Sequence, residues 1–173
     1  KVNPLHPRSR DAHEPRRDPT ARARYVEERQ GKSRKSTTNL ETILQAETAC
    51  QKGLVLFRGK KHLEAQKAFA EALDLNPNEA EYLMYQAWSS YKASPKPAEA
   101  AIGTRKKLIR ATEFSPKLSL AHLCLGYLAK DEGNEKEAQR RFERAILCNP
   151  NCTEALRQLR LMRMRKGKAE HAQ

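Results

Sequence analysis

The sequence has few aromatic residues and no long apolar run. Aromatic side chains make up 6% of the 173 residues, and Trp occurs once. A helix that spans a membrane needs about 20 consecutive apolar residues, and no such run occurs here, nor does the apolar core of a signal peptide near Lys1. We therefore predict a soluble, cytoplasmic protein without a membrane partner. Because the first residue is Lys rather than Met, we expect a processed form or a part of a longer chain.

The four cysteines lack the spacing of a metal site. Cys50, Cys124, Cys148 and Cys152 form no C-x-x-C pair, and no His is close in sequence to the last two. A structural zinc site takes four ligands from closely spaced Cys and His residues. We therefore predict no metal site and interpret the cysteines as small, mostly buried residues of a protein in a reducing compartment.

Sequence patterns typical of enzymes are also missing. The sequence has no Gly-rich phosphate loop, no H-E-x-x-H, no G-x-S-x-G and no pair of carboxylates in a recognisable catalytic pattern. We interpret His122 as a buried core residue and His62 as a surface residue. The prediction is a protein that is not an enzyme, with no catalytic residue, no cofactor and no small-molecule substrate.

Positive charge is concentrated at the two ends of the sequence. The net charge is +13; residues 1–36 hold 11 basic and 5 acidic residues, residues 37–139 hold 14 and 13, and residues 140–173 hold 9 and 3. Basic ends can be solvated charge, can contact an acidic protein, or can neutralise phosphates of nucleic acid with steep salt dependence. The sequence leaves these three interpretations open.

Two stretches share one spacing of small residues, Phe and Pro. The spacing Ala-x3-Phe-x2-Ala-x4-Pro ends at Pro77 and again at Pro150, and a Gly precedes each stretch at the same distance, at Gly53 and Gly126. Around Gly126 this spacing resembles the tetratricopeptide-repeat signature W-x2-L-G-x2-Y…A-x3-F…P. A degenerate unit that ends at Pro116 lies between them and is five residues longer, with the insertion around residues 93–101.

The resemblance implies an all-α solenoid of three helical hairpins and a C-terminal capping helix. We expect a repeat domain over residues 37–168, preceded by a basic, largely disordered arm rich in Pro and Arg over residues 1–36. Its parts are units at about 39–77, 78–116 and 117–150, a capping helix at 153–166 and a frayed tail at 167–173. Within the arm we predict a short helix over 19–30 that ends at Gly31, then a basic linker over 32–35.

Residues 18–25, Asp-Pro-Thr-Ala-Arg-Ala-Arg-Tyr, resemble the last helix of a J-domain. Bacterial proteins join such a domain to tetratricopeptide repeats, so the resemblance adds a co-chaperone fragment to the alternatives. The His-Pro-Asp triplet that stimulates the partner chaperone is missing from this sequence, so no J-domain activity is carried over.

In tetratricopeptide proteins the first helix of each hairpin lines a concave face. The resemblance therefore implies an apolar, aromatic groove that binds a peptide or helix of another protein, as an adaptor or scaffold does. The residues expected to contact the partner are Leu54, Phe57, Met84, Trp88, Tyr91, Leu123 and Tyr127. The cations expected along its basic rim are Arg58, Lys92, Lys130, Arg157, Arg160 and Arg163. The groove could instead be filled by the chain's own first helix or N-terminal segment.

A two-carboxylate clamp for chaperone C-termini is not predicted. Family members of that kind hold the peptide with Lys, Asn and Arg side chains. The early clamp positions are here occupied by Cys50, Leu54, Met84 and Trp88. We therefore expect the partner to be recognised in another way.

Overall fold

The computed structural model describes the backbone of residues 19–170 and the side chains of residues 20, 23, 24, 26, 27 and 39–165. These residues form seven α-helices and no strand. The helices are α1 Pro19–Arg58, α2 His62–Leu75, α3 Ala80–Ala93, α4 Pro97–Phe114, α5 Ser119–Asp131, α6 Glu135–Cys148 and α7 Thr153–Glu170. None of the described helices combines the length and apolarity that crossing a bilayer requires.

The chain divides into two units, residues 1–41 and residues 42–173. In the second unit, α2 and the part of α1 from residue 42 form the first hairpin, α3 and α4 the second, and α5 and α6 the third. Each even-numbered helix packs against the odd-numbered helix that follows it, and α7 packs on α6. The three predicted hairpins and the capping helix are therefore present, in the predicted order.

The hairpin turns owe their shape to local sequence. Gly133 has a φ of 76° in the turn between α5 and α6, a conformation that residues with a Cβ seldom adopt. Asn134 then caps α6, because its side-chain oxygen accepts a hydrogen bond from the backbone N–H of Glu137 at 3.1 Å. The hairpins end at Asn76, Ser115 and Asn149, each directly before a Pro that disfavours helix in the preceding residue.

The longer second unit has its extra residues in helix. Helix α4 has 18 residues, whereas α2 and α6 have 14 each. Pro97 occupies the first position of α4, where a missing N–H costs no hydrogen bond. Most of the predicted insertion therefore adds about one helical turn at the start of α4.

Two hairpins close where a phenylalanine ring lies against a glycine. A Cβ added to Gly53 would lie 2.7 Å from the ring of Phe69, and one added to Gly126 would lie 2.5 Å from the ring of Phe142. Both rings are fully buried. These glycines and phenylalanines therefore act as packing residues where the two helices of a hairpin cross.

The structure corrects the predicted boundaries near the N-terminus. Helix α1 continues through Gly31 and through residues 32–35, where we predicted a helix end and a linker. A Gly in a helix costs only about 1 kcal/mol relative to Ala, and no Pro follows Pro19 until Pro77, so this stretch contains no strong stop. Helix α7 likewise continues to Glu170, into the tail that we predicted to be frayed over 167–173. Residues 1–18 of the predicted disordered arm and residues 171–173 of that tail lie outside the described residues.

The buried residues agree with most sequence interpretations. His122 is buried, and its Nε2 lies 3.1 Å from the carbonyl oxygen of Pro116. Cys50, Cys124 and Cys152 are buried, whereas Cys148 is half-buried, and all four cysteines are free. His62, which we expected at the surface, is half-buried, with its ring 5.0 Å from that of Phe57.

Candidate functional site: the face of the odd-numbered helices

Hydrogen bonds from tyrosine hydroxyls to carboxylates connect each odd-numbered helix to the next odd-numbered helix. These helices are α1 (from residue 42), α3, α5 and α7. We call the face that they form the inner face. Tyr82 of α3 donates to Glu47 of α1 at 2.9 Å, and Tyr91 of α3 donates to Asp131 of α5 at 2.8 Å. Tyr127 of α5 donates to Glu154 of α7. We call these three bonds the tyrosine ties.

The spacing of the two tyrosines on α3 explains why this helix is tied on both sides. Tyr82 and Tyr91 are nine residues apart, which is two and a half helical turns. Their side chains therefore leave opposite sides of α3, one towards α1 and the other towards α5. A tie of this kind requires a protonated phenol and an ionised carboxylate.

The environment favours those protonation states. Burial and the bond to Asp131 raise the pKa of Tyr91 to about 12, and burial together with the bond to Glu154 also raises the pKa of Tyr127. The hydrogen bond from Tyr127 lowers the pKa of Glu154. At neutral pH Tyr91 and Tyr127 are thus donors, and Glu154 is a charged acceptor.

An aromatic row crosses the middle of the inner face. The Trp88 ring stacks on Tyr91 with a centroid distance of 5.2 Å and on Tyr127 at 6.1 Å. The Lys92 ammonium lies 4.7 Å from the centroid of the Trp88 ring and 5.7 Å from that of Tyr91. Lys92 is exposed, so the row carries a cation that faces solvent.

The structure corrects the exposure that the sequence led us to expect for four groove residues. Met84 is 1% exposed, Tyr91 5%, and Trp88 and Leu123 9% each. Met84, Trp88 and Tyr91 belong to the core cluster that α3 and α4 share with α5, and Leu123 belongs to the cluster around α6 and α7. Because neighbouring helices cover both sides of α3 and α5, the stripe that we placed in an open groove is largely core.

The remaining predicted contact residues are accessible in part. Leu54, Phe57 and Tyr127 are half-buried. At the far end, Leu161 and Met164 of α7 are exposed. Leu161 follows Glu154 by seven residues, or two turns, and so lies on the side of α7 that faces Tyr127. Leu161 and Met164 therefore give the α7 part of the inner face exposed apolar surface.

The predicted basic rim is divided between two places. Arg58 and Lys92 are exposed on the inner face, and Lys130 donates to Gln158 at 2.9 Å. Arg157, also exposed, lies 3.7 Å from Glu154. The other two rim residues line a groove of about 580 Å³ between α6 and α7 instead; they are Arg160 and Arg163.

Sequence reasoning missed two grooves outside the inner face. One, of about 830 Å³, lies between α1 and α2 and is bordered by Leu44 and Leu75. The other is the groove between α6 and α7, with Leu156 on its wall. The buried stripe of α7 consists of Ala155, Leu159 and Met162, whereas Leu156 is 46% exposed. In the described part of the chain, no group of three or more His, Cys, Asp or Glu side chains could hold a metal ion.

Solved structures with the same helix arrangement identify the fold. The first TPR domain of Spaghetti (RPAP3), bound to the HSP90 peptide SRMEEVD, has a TM-score of 0.59 at 18% identity over 72% of this chain and 94% of that chain. The TPR domain of Arabidopsis OM64 has a TM-score of 0.58 at 22% identity over 70% and 98%. The Sgt2 TPR domain from Aspergillus fumigatus has a TM-score of 0.60 at 20% identity over 73% and 82%. This chain has the tetratricopeptide-repeat fold.

The predicted fold class is thus confirmed, although no protein-family model matches the sequence and no curated protein matches it either. In the tetratricopeptide-repeat fold the odd-numbered helices are the first helices of their hairpins, so the inner face is the face that we expected to be concave. The resemblance of residues 18–25 to a J-domain helix stays a prediction.

Proposed function

We propose that this chain is a protein-interaction module that binds a segment of another protein along the inner face. The observation that carries the proposal is the exposed Lys92 above the aromatic row of Trp88, Tyr91 and Tyr127. A cation held over aromatic rings needs little reordering to meet an acidic or polar group of a partner. The peptide bound to the RPAP3 domain supports an interaction role for the fold.

The exposed groups suggest what kind of segment would fit. Arg58, Lys92 and Lys130 provide positive charge along the face, and Leu161 and Met164 provide apolar surface on α7. A segment with a carboxylate and an apolar anchor would satisfy both. Met84 and Trp88 are buried and carry no positive charge, so we do not extend the HSP90 peptide to this chain; we expect no saturable binding of SRMEEVD up to about 1 mM.

Photo-crosslinking tests the proposal on the full chain. A benzophenone amino acid replaces Leu161 on the inner face or, as a control, Leu147, which is exposed on α6. We expect a defined adduct with another protein from position 161 but not from 147. Lys92→Glu should reduce this adduct at least about fivefold, whereas Lys106→Glu, the same charge change on the exposed side of α4, should leave it intact.

Equal adducts from positions 161 and 147, or equal loss in both lysine variants, would reject the inner face as the binding site. Trp88→Ala is not a clean test, because removing a buried aromatic side chain also lowers the stability of the fold by about 3–5 kcal/mol. Whether Trp88 itself contacts the partner stays a prediction.

A second candidate is nucleic-acid contact through the exposed arginines of α7. Arg157, Arg160 and Arg163 are exposed there, and Leu161 and Met164 accompany them rather than aromatic side chains that could stack on bases. A nucleic-acid adduct that disappears in moderate salt and persists in Lys92→Glu would favour this candidate. A co-chaperone role depends on residues 18–25 alone.

A further inference from the structure

The groove between α6 and α7 has an apolar floor. Leu159 is buried there, Ile146 of α6 is half-buried, and Leu156 is 46% exposed. Leu156 and Leu161 are five residues apart, which places their side chains about 140° apart around α7. The groove is therefore separate from the inner face.

The charges at the edge of this groove are mainly positive. Arg160 and Arg163 line it and are exposed. Among residues 39–165 neither arginine has a carboxylate within ion-pair distance. The single acidic residue of the groove is Glu143, whose Oε1 accepts a hydrogen bond from Gln139 at 2.8 Å. An occupant with carboxylates beside an apolar stripe would complement this edge.

The fold indicates that the occupant is a helix. Each odd-numbered helix before α7 has an even-numbered helix of its own hairpin packed against it, as α6 is packed against α5. In the described residues α7 has no such helix of its own, and the groove beside α6 is open. An amphipathic helix of about four turns would cover the apolar floor as α2 and α6, with 14 residues each, cover theirs.

Arg160 indicates which kind of side chain the docking helix should present to the groove. Gly126 lies ten residues after Pro116, and Arg160 lies ten residues after Pro150, so the two positions correspond. At Gly126 the ring of Phe142 approaches the backbone at a distance that no Cβ would allow. At Arg160 a cationic side chain occupies that space, so a carboxylate on a helix packed there would complement its charge.

We propose that the groove between α6 and α7 binds an acidic amphipathic helix of another protein, which completes a fourth hairpin. Charge disfavours the chain's own residues 1–18 as the occupant, because they hold 5 basic and 3 acidic residues. The site is distinct from the inner face, so the two proposals can fail independently.

The probe is a fluorescein-labelled synthetic helix of about 16 residues, long enough for four turns, with Leu at i, i+3, i+4 and i+7 and Glu beside the stripe. A matched peptide carries Lys in place of every Glu. Fluorescence anisotropy with the full chain at physiological ionic strength should give micromolar binding of the acidic helix and at least about tenfold weaker binding of the basic one.

Matched variants locate the site. Leu156→Ser and Arg163→Glu should each weaken binding of the acidic helix about tenfold. Leu147→Ser removes an exposed leucine of α6 that is outside the groove, and Arg144→Glu makes the same change in net charge outside it; both should stay within about twofold. Lys92→Glu tests the inner face as the alternative site: binding of the acidic helix that is lost in this variant but kept in Arg163→Glu would overturn the proposal. Circular dichroism melting curves confirm that each variant folds.

Equal effects of Arg163→Glu and Arg144→Glu would mean that the peptide senses only the net charge of the chain, and this would overturn the proposal. So would undiminished binding by Leu156→Ser, equal affinity for both peptides, or no binding of the acidic helix up to about 1 mM. Sedimentation velocity tests whether a second copy of this chain occupies the groove. A dimer that Leu156→Ser dissociates would assign the groove to that second copy instead.

Discussion

The first and third hairpins close around a phenylalanine, whereas the middle hairpin closes around a leucine. Gly53 meets Phe69 and Gly126 meets Phe142, but the corresponding residues of the middle hairpin are Ala87 and Leu108, which share one core cluster. A smaller side chain on one helix leaves room for the Cβ on the other. The comparison indicates that the fold requires a combined volume at this crossing rather than particular residue types.

The largest expected effect on stability comes from removing one of the two buried phenylalanine rings. Phe142→Ala removes a fully buried ring and should lower the free energy of unfolding by about 3–5 kcal/mol, measured by urea denaturation. Leu147→Ala, on the exposed side of the same helix, should change it by less than about 0.5 kcal/mol. A small effect of Phe142→Ala would mean that the ring is not part of the stabilising core.

The comparison itself is tested by converting the third hairpin to the chemistry of the middle one. Gly126→Ala places a Cβ 2.5 Å from the Phe142 ring and should cost about 1–3 kcal/mol. In the double variant with Phe142→Leu, the smaller side chain gives way to that Cβ. A double-mutant cycle should therefore give a favourable coupling of about 1–2 kcal/mol, and strictly additive costs would contradict the shared-volume explanation.

The tyrosine ties distinguish the middle hairpin from its neighbours in a second way, since α3 supplies the tyrosine hydroxyl of two ties, whereas α5 supplies one. Tyr91→Phe removes the hydrogen bond to Asp131 and should lower the free energy of unfolding by about 1 kcal/mol. Tyr85→Phe is the matched control, because among residues 39–165 the Tyr85 hydroxyl has no hydrogen bond. Equal effects of the two substitutions in urea denaturation would show that the tie contributes nothing.

The smallest expected effect on stability comes from His122 of the third hairpin at mildly acidic pH. Burial lowers the pKa of His122; the hydrogen bond to Pro116 opposes this, and repulsion from Arg141 and Arg144 adds to it. The unfolded chain therefore binds a proton at higher pH than the folded chain does. Stability should fall as the pH drops below about 6.5, and His122→Gln should make that fall less steep. An identical pH dependence in the variant would exclude His122 as its source.

The lowered pKa of His122 also has a geometric cause. Its Nε2 bonds to the carbonyl of Pro116, whereas its Nδ1 is buried without a hydrogen-bond partner. A second ring proton would thus be buried without an acceptor, which costs about 1–3 kcal/mol in general. The sequence predicted burial from the position of His122 in the repeat, but not this unpaired nitrogen, because the contact depends on where the preceding turn lies.

The inner face could be predicted only in part. The helices that form it followed from the repeat spacing, and the basic residues Arg58 and Lys92 are exposed there as expected. The partners of Tyr82 and Tyr91 could not be predicted, because Glu47 and Asp131 are 35 and 40 residues away in sequence. Their meeting depends on the angle at which successive hairpins stack.

The local sequence specifies the hairpins and their order. Gly, Ala, Phe and Pro at a fixed spacing act locally: Pro ends helices, and a glycine admits a ring that no other residue would admit at that distance. Which side chains face solvent depends instead on how the helices pack. Trp88 is buried because α5 lies beside α3, and Leu156 is exposed because, among the described residues, none covers its side of α7. Exposure depends on the neighbours that a helix meets, and the spacing within one helix does not specify those neighbours.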